Sequence, residues 1–324
     1  MERRDRPLDA EVLTVAGGSA RPILALIGPT AVGKTALSLT LAERLGGEIV
    51  SADSRQVYRS LTIGTAKPSP EELARVPHHF IDELDLDEPF SAGRFAEAAS
   101  ARIRDILRRG RVPVVVGGST LYLEALMHGL ADIPETTPAT RDVLMARLRD
   151  EGGDVLYREL ERLDPTSAAT MDATKTQRVV RALEVLRDTG RPLSYYHAHR
   201  TPPPFAFGPV VLTRPRAELY ERINRRVDQM LEAGLLDENR RLLDAGVSPG
   251  LNPLRTIGYR EPLAYLRGEV GYDEMVRRLK QNTRRYAKRQ LTWFRRRATY
   301  RWLDLSGTKG SGVAEDLARS VGRA

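Results

Sequence analysis

Residues Gly28, Pro29, Thr30, Ala31, Val32, Gly33, Lys34 and Thr35 follow directly on the apolar run Ile23–Ile27. They precede a segment with Leu37, Leu39, Leu41, Ala42 and Leu45 at its apolar positions. The spacing G-x-x-x-x-G-K-[ST], set between a buried strand and a helix, is that of a phosphate loop. Glycines at both ends let the backbone curl so that successive N–H groups point inward at a polyphosphate. Lys34 adds a point charge, Thr35 a hydroxyl for Mg²⁺, and the following helix aims the positive end of its dipole at the same place. All eight residues are therefore candidates for phosphate binding. The fold class this predicts is α/β, a parallel sheet flanked by helices of the phosphate-loop NTPase kind.

At 324 residues the chain has room for one large domain or two smaller ones. It has no cysteine, so disulfides and thiolate metal sites are excluded, which fits a reducing cytoplasm. No apolar run approaches a membrane span, and Arg3, Arg4 and Arg6 are not followed by the apolar core of a secretory signal. The formal charge of +8 permits a polyanionic partner, and its distribution matters more than its total. Eleven Lys or Arg and no acid lie between Arg277 and Arg301. One face is thus expected to be strongly positive.

In chain order, residues 1–20 read as a flexible tail. A second strand, Glu48–Ala52, ends at Asp53-Ser54-Arg55-Gln56, and a polar loop continues through Pro70 and past His78-His79. Phe95, Ala99, Ile103, Ile106 and Leu107 are spaced for an amphipathic helix. Val112–Val116 is a buried strand ending in Gly117-Gly118-Ser119. From about Pro134 to Pro204 the strand signal vanishes, and Val143–Leu148, Val155–Leu163 and Val179–Leu186 read as helices of an all-helical insertion domain over 136–204. Pro209–Thr213 returns to the sheet, and Arg216–Leu243 is helical. The basic block closes a helical C-terminal region with Val276, Leu279, Thr283, Tyr286, Gln290 and Phe294 on one stripe. The core domain then comprises 21–135 and 205–305, with 306–324 a C-terminal tail.

In an open parallel sheet, ligands bind beyond the carboxyl ends of the strands. Asp53 is the one acid at such an end near the loop. Val112–Val116 ends in Gly-Gly-Ser and not in the carboxylate with which a nucleotide kinase or ATPase holds Mg²⁺. A small-molecule kinase can still use such an Asp as base on a hydroxyl. This feature alone leaves both chemistries open.

The phosphate loop, Asp53-Ser54-Arg55-Gln56, Gly64-Thr65-Ala66-Lys67-Pro68, Pro77-His78-His79, Gly117-Gly118-Ser119 and Arg289-Gln290-Leu291-Thr292-Trp293-Phe294 occur in that order. Together they resemble the tRNA dimethylallyltransferase (tRNA isopentenyltransferase) family, over about Pro22 to Leu303. The resemblance implies transfer of a dimethylallyl group from dimethylallyl diphosphate to the exocyclic amine of the adenosine 3′ of the anticodon. It also implies that the loop grips the leaving diphosphate and not ATP.

On this reading Asp53 is the general base, because an aromatic amine needs a carboxylate to take its proton as the bond forms. Gly33, Lys34, Thr35 and Mg²⁺ neutralise the leaving group. Ser119, where the family usually has threonine, keeps a hydroxyl, and Arg226 matches a diphosphate-contacting arginine. The resemblance further implies tRNA contacts at Asp53, Ser54, Arg55, Gln56, Ser119 and Arg141. More follow at Gln177, Arg178, Val179, Val180 and Arg181, at Arg255, Gly258, Tyr259 and Arg260, and at Lys288, Arg289, Gln290, Trp293 and Arg295. Tyr259 and Trp293 are able either to stack on bases or to fill core. His78 and His79 have no metal-ligand spacing and are assigned no role. The expected partners are the tRNA anticodon stem-loop and dimethylallyl diphosphate, with no membrane, for a cytoplasmic monomer with Mg²⁺ as cofactor. A small-molecule or nucleotide kinase predicts ATP binding and leaves the basic block unexplained. A non-catalytic RNA-binding protein predicts stem-loops bound and returned unchanged.

Overall fold

The computed structural model describes residues 21–129, 131–307 and 310–322. The segment read as an N-terminal tail lies outside them. The chain forms two compact units, one from residues up to Met127 and from Pro204 onward, the other His128–Pro203.

In the first unit, β1 (Ile23–Ile27) leads through α1 (Lys34–Leu45) to β2 (Gly47–Ala52). Then come α2 (Pro70–Arg75), the two-residue β3 (His78–His79), α3 (Ala92–Arg108), β4 (Val112–Gly117) and α4 (Thr120–His128). The second unit contributes α5 (Pro138–Asp150), α6 (Gly153–Leu163), α7 (Pro165–Ala168), α8 (Thr176–Thr189) and α9 (Leu193–Ala198). After it the chain adds β5 (Phe207–Thr213), α10 (Arg216–Glu232), α11 (Leu235–Asp244), α12 (Arg260–Leu266), α13 (Tyr272–Phe294), β6 (Arg301–Asp304) and α14 (Gly310–Gly322).

The six strands pair in the order β3-β2-β4-β1-β5-β6, every pair parallel. Strands buried on both faces must be apolar throughout, and all five residues of β1 are buried. Alternation then divides them. Ile23, Ala25 and Ile27 join a core with Phe95 and Ile103 of α3 and Leu123 of α4. Leu24 and Leu26 join one with Leu37 and Leu41 of α1, Ile223 of α10 and Leu317 of α14.

Register sets where the strands end. Ile27 lies opposite Gly117 and Ala52 opposite Gly117, so Gly28, Asp53 and Gly118 emerge side by side. The approach is too close for side chains. A Cβ on Gly117 would stand 2.3 Å from the Ala52 carbonyl oxygen, and one on Gly118 2.4 Å from Nε2 of Gln290.

Four elements depart from the sequence reading. The stretch around Pro70 opens α2 instead of continuing a loop. The Ser69 hydroxyl accepts from the Glu72 amide, and the Glu72 carboxylate accepts from the Ser69 amide. His78-His79 forms the edge strand β3 on β2. Arg301–Asp304, which has no apolar run, becomes a strand because β5 offers it a free edge. Residues 310–322, read as part of a tail, form α14, with Val313, Ala314 and Leu317 buried. The long helix expected from Arg216 is also interrupted, at Gly234 with φ +93°.

The second unit is helical apart from one isolated antiparallel bridge, Ala131 to Arg200. Leu144, Leu156, Leu160, Val179, Val180 and Leu183 form its own core. Buried Asp164 caps α7 through the Ser167 amide and also accepts from the Ser194 amide at α9. Among the described residues no helix is long and apolar enough to cross a membrane.

Candidate active site

Gly33 caps α1 with a left-handed backbone, φ +115°, and no side chain caps the helix. The first amides of α1 therefore lack intrahelical acceptors and are presented to an incoming anion. Gly28, φ +155°, passes so close to β5 that a Cβ would lie 2.8 Å from the Leu212 carbonyl oxygen. Lys34 is folded back on the loop, its Nζ donating to the carbonyls of Gly28 at 3.0 Å and Pro29 at 2.8 Å. Burial first, and then the Arg226 charge, push its pKa down to about 7, against the opposing pull of Asp53.

The loop is braced from outside by side chains remote in sequence. Gln290 of α13 accepts from the Thr30 amide at 3.0 Å and donates to the Gly118 carbonyl at 2.8 Å, tying the loop to the end of β4. From the opposite side Arg214 donates to the Val32 carbonyl and Arg222 to the Ala31 carbonyl, each at 2.9 Å. Arg226 reaches the Thr30 hydroxyl at 3.4 Å. Burial and the neighbouring Arg222 charge lower its pKa from the usual arginine value.

Asp53 stands at the end of β2. Its Oδ1 accepts from the amides of Arg55 at 2.9 Å and Gln56 at 3.3 Å, a turn that orients the carboxylate. The Gln56 Nε2 donates to the carbonyls of Thr65 and Ala66, and its Oε1 accepts from the Ser51 hydroxyl at 3.5 Å with a second lone pair open. That loop is itself clamped. Buried Glu238 accepts from the amides of Thr62, Ile63 and Gly64, and from the Tyr259 hydroxyl at 2.6 Å. Ser119 is buried, accepts from the Ser54 amide at 3.0 Å and donates to the Ser54 hydroxyl at 3.4 Å. Burial, reinforced by the Asp53 charge, pushes the Tyr286 phenol up to about 12, so it remains a donor.

A cavity of about 690 Å³ gathers Thr30, Gly33, Lys34, Thr35, Asp53, Ser54, Arg55, Gln56, Ser119, Arg226 and Gly258 on its walls. His78, to which the sequence gives no role, also lines it, its Nδ1 against the Val76 carbonyl and its pKa lowered by burial. Tyr286 and Thr283 are visible in the sequence only as members of an apolar stripe. Nothing local marks them as cavity residues, because that depends on which helix faces α13.

Several residues expected to touch RNA are committed elsewhere. Tyr259 is fully buried against Glu238, and Gln290 is a brace for the phosphate loop. Val179 and Val180 lie in the core of the second unit, the ordinary fate of apolar residues one turn from others on an amphipathic helix. In that unit, Arg141 pairs with buried Glu184 at 3.2 Å and with Gln177 at 3.1 Å. Arg181 bonds the Thr136 hydroxyl, and Arg178 is exposed. In the first unit, Arg255, Arg260, Lys288, Arg289 and Arg295 are exposed, while Trp293 is half-buried against Phe294 and Tyr300.

Part of the basic block is neutralised. Arg277 and Arg278 pair with Glu274, Lys280 with Asp228, and Arg297 with Glu124. Arg285, Lys288, Arg289, Arg295 and Arg296 are exposed and make no ion pair among the described residues. Arg285 lies one turn from Lys288 and Arg289, and Arg295 and Arg296 follow just past the end of α13, so positive charge runs along the helix and beyond it.

Fold and site together define an α/β protein of the phosphate-loop kind, with a carboxylate at a strand end on the same cavity as the loop. The chain belongs to the IPP transferase family, whose model matches residues 56–297. It is 60% identical to the tRNA dimethylallyltransferase of Salinibacter ruber over 93% of each chain. It is 48% identical to that of Chlorobium chlorochromatii over 87% of this chain and 93% of the relative. Among solved structures, the tRNA isopentenylpyrophosphate transferase of Bacillus halodurans is 41% identical, with a TM-score of 0.69 over 93% of this chain and 97% of that one. A eukaryotic dimethylallyltransferase, captured in crystallographic snapshots acting on tRNA, is 30% identical. Its TM-score is 0.74 over 87% of this chain and 73% of that one.

Proposed function

We propose that the protein transfers the dimethylallyl group of dimethylallyl diphosphate to the exocyclic N6 amine of the adenosine 3′ of the anticodon in tRNA. The observation that carries the reading is that Asp53, Gln56 and the phosphate loop line one cavity. In the transfer, the bond between C1 of the allyl group and the diphosphate oxygen breaks, its electron pair leaving with diphosphate. A bond from N6 to C1 forms, and the amine proton passes to the Asp53 carboxylate, which its turn with Arg55 and Gln56 holds in place. The amides opening α1, with Lys34 and Arg226, balance the charge growing on diphosphate. Gln56, its amide held by the Thr65 and Ala66 carbonyls, presents Oε1 to the adenine. Ser119, positioned by Ser54, offers a hydroxyl beside it.

The donor set suits Mg²⁺. Among the described residues no three acidic, His or Cys side chains converge on a metal. Mg²⁺ beside a phosphate loop needs few protein ligands, keeping waters and taking phosphate oxygens. Thr35, at the start of α1, would hold it together with the diphosphate, and the ion would supply charge neutralisation to the leaving group.

The adenine must leave the anticodon-loop stack to reach Asp53, which costs least in a single-stranded loop. The open stripe of Arg285, Lys288, Arg289, Arg295 and Arg296 supplies phosphate contacts in one unit, and exposed Arg178 supplies one in the other. A cytoplasmic monomer fits the same reading.

The deciding experiment incubates the protein with labelled dimethylallyl diphosphate, Mg²⁺ and unmodified tRNA. Label in the adenosine beside the anticodon is expected, with release of one diphosphate for each group transferred. RNA free of label refutes the reading, and ATP consumption would favour a kinase. In a second test, replacing Lys288 and Arg289 with alanine weakens tRNA binding across all sequences. It lowers the slope of log K against log salt by about 1 for each phosphate left without its cation.

A further inference from the structure

Along α10 and α13 the cavity wall becomes more apolar, although Gln229 and Thr256 also line it there. Helices α10 and α13 run antiparallel along it, as Arg284 donating to Asn224 and Lys280 pairing with Asp228, both at 2.6 Å, establish. At the phosphate-loop end they contribute Arg222, Arg226 and Gln290. Further along α10, Val227 and Met230 take over the cavity wall, Met230 one turn or ~6 Å beyond Arg226. On α13 the corresponding position is Leu279, ~16 Å along the helix from Gln290, and Ile257 joins from the segment before α12. Val227 and Leu279 are buried, and Met230 and Ile257 pack on them as one apolar cluster. Thr283, between the two ends, has its hydroxyl bonded to the Leu279 carbonyl at 2.8 Å and so makes no polar demand on the recess.

We infer that this recess of Val227, Met230, Ile257 and Leu279 receives the prenyl chain of the substrate, and that Met230 is the residue that sets the chain length accepted. The inference rests on the transfer reading above. A diphosphate seated on the loop must carry its hydrocarbon away from Lys34 and Arg226, and the apolar wall begins one turn beyond Arg226. Asp53 and Gln56 belong to the polar part of the cavity, where the adenine is received. The bonds made and broken are the same whatever the chain length, so the walls of the recess govern selection. Methionine, unbranched and only partly buried here, is the wall residue whose truncation opens most length with least disturbance of the core.

The test compares dimethylallyl and geranyl diphosphate as donors, with nucleosides from digested tRNA identified by mass. Met230→Ala is expected to raise the ratio of kcat/KM for geranyl over dimethylallyl diphosphate by about 10-fold or more, in line with the value of one methylene in an apolar pocket. Ile257→Ala, which truncates a partly buried residue, is expected to shift the ratio in the same direction. Met230→Phe is expected to weaken binding of dimethylallyl diphosphate by about 10-fold, with inorganic diphosphate bound as in the parent protein. An unchanged donor ratio in both alanine variants, while the parent transfers dimethylallyl groups, overturns the inference and leaves the transfer reading standing. A rise in KM for tRNA, with donor selection unaltered, also overturns it and assigns the recess to the base. Failure of the parent protein to transfer any prenyl group overturns both.

Discussion

Asp53→Ala lowers the rate of single-turnover transfer by about 10²–10⁴-fold, the range for loss of a general base, with tRNA still bound. The alanine variant also removes an acceptor, because Oδ1 holds the amides of Arg55 and Gln56. Asp53→Asn separates the two roles. It keeps an oxygen for those amides but no longer accepts a proton at neutral pH, so it is expected to fall as far as the alanine variant. An asparagine variant close to the parent rate would reduce Asp53 to the orienting residue of a turn, and the base would have to be sought elsewhere in the cavity.

Lys34→Met is expected to cost about 10²–10³-fold in kcat, as removal of one preorganised donor from developing negative charge does. Its pH signature is more specific. In the free site, burial and Arg226 hold Lys34 down at about 7. A bound diphosphate favours the charged ammonium and raises that value, so the liganded state binds more protons than the free state above pH 7. Binding therefore takes up a proton, and affinity falls as pH rises above 7, by up to about tenfold per unit until the liganded pKa is reached. Calorimetry of inorganic diphosphate binding at pH 8, in buffers of different ionisation enthalpy, reads that uptake directly. The methionine variant should lose it. Equal proton uptake in parent and variant would show that another group carries the linkage.

The same lysine illustrates how far the sequence can be read. Its place in a phosphate loop is a matter of eight consecutive residues between a strand and a helix, and local spacing is enough to specify it. Its lowered pKa is not local, since it depends on Arg226, 192 positions later, arriving beside it on α10. Gln290 makes the same point more sharply. In the sequence it belongs to a basic helix and reads as an RNA contact. In the fold it joins the Thr30 amide to the Gly118 carbonyl and braces the loop across the end of the sheet. Tyr259 is readable either as a stacking ring or as core, and only the arrival of Glu238 chooses between them. The edge strand β6 is invisible in the sequence because Arg-Trp-Leu-Asp has no pattern of its own and needs β5 as a template.

By itself, then, the sequence determined the parallel sheet, the phosphate loop, the strand-end aspartate, the helical insertion and the concentration of positive charge. Each of these is written in contiguous residues whose periodicity or spacing acts over one element. Only the tertiary structure decided which charges of the basic block stay open, which side chains brace the loop, and which apolar side chains reach the cavity wall. Those outcomes depend on pairs of residues far apart in the chain, brought together by strand register and by the antiparallel packing of α10 on α13, and no local pattern carries that information.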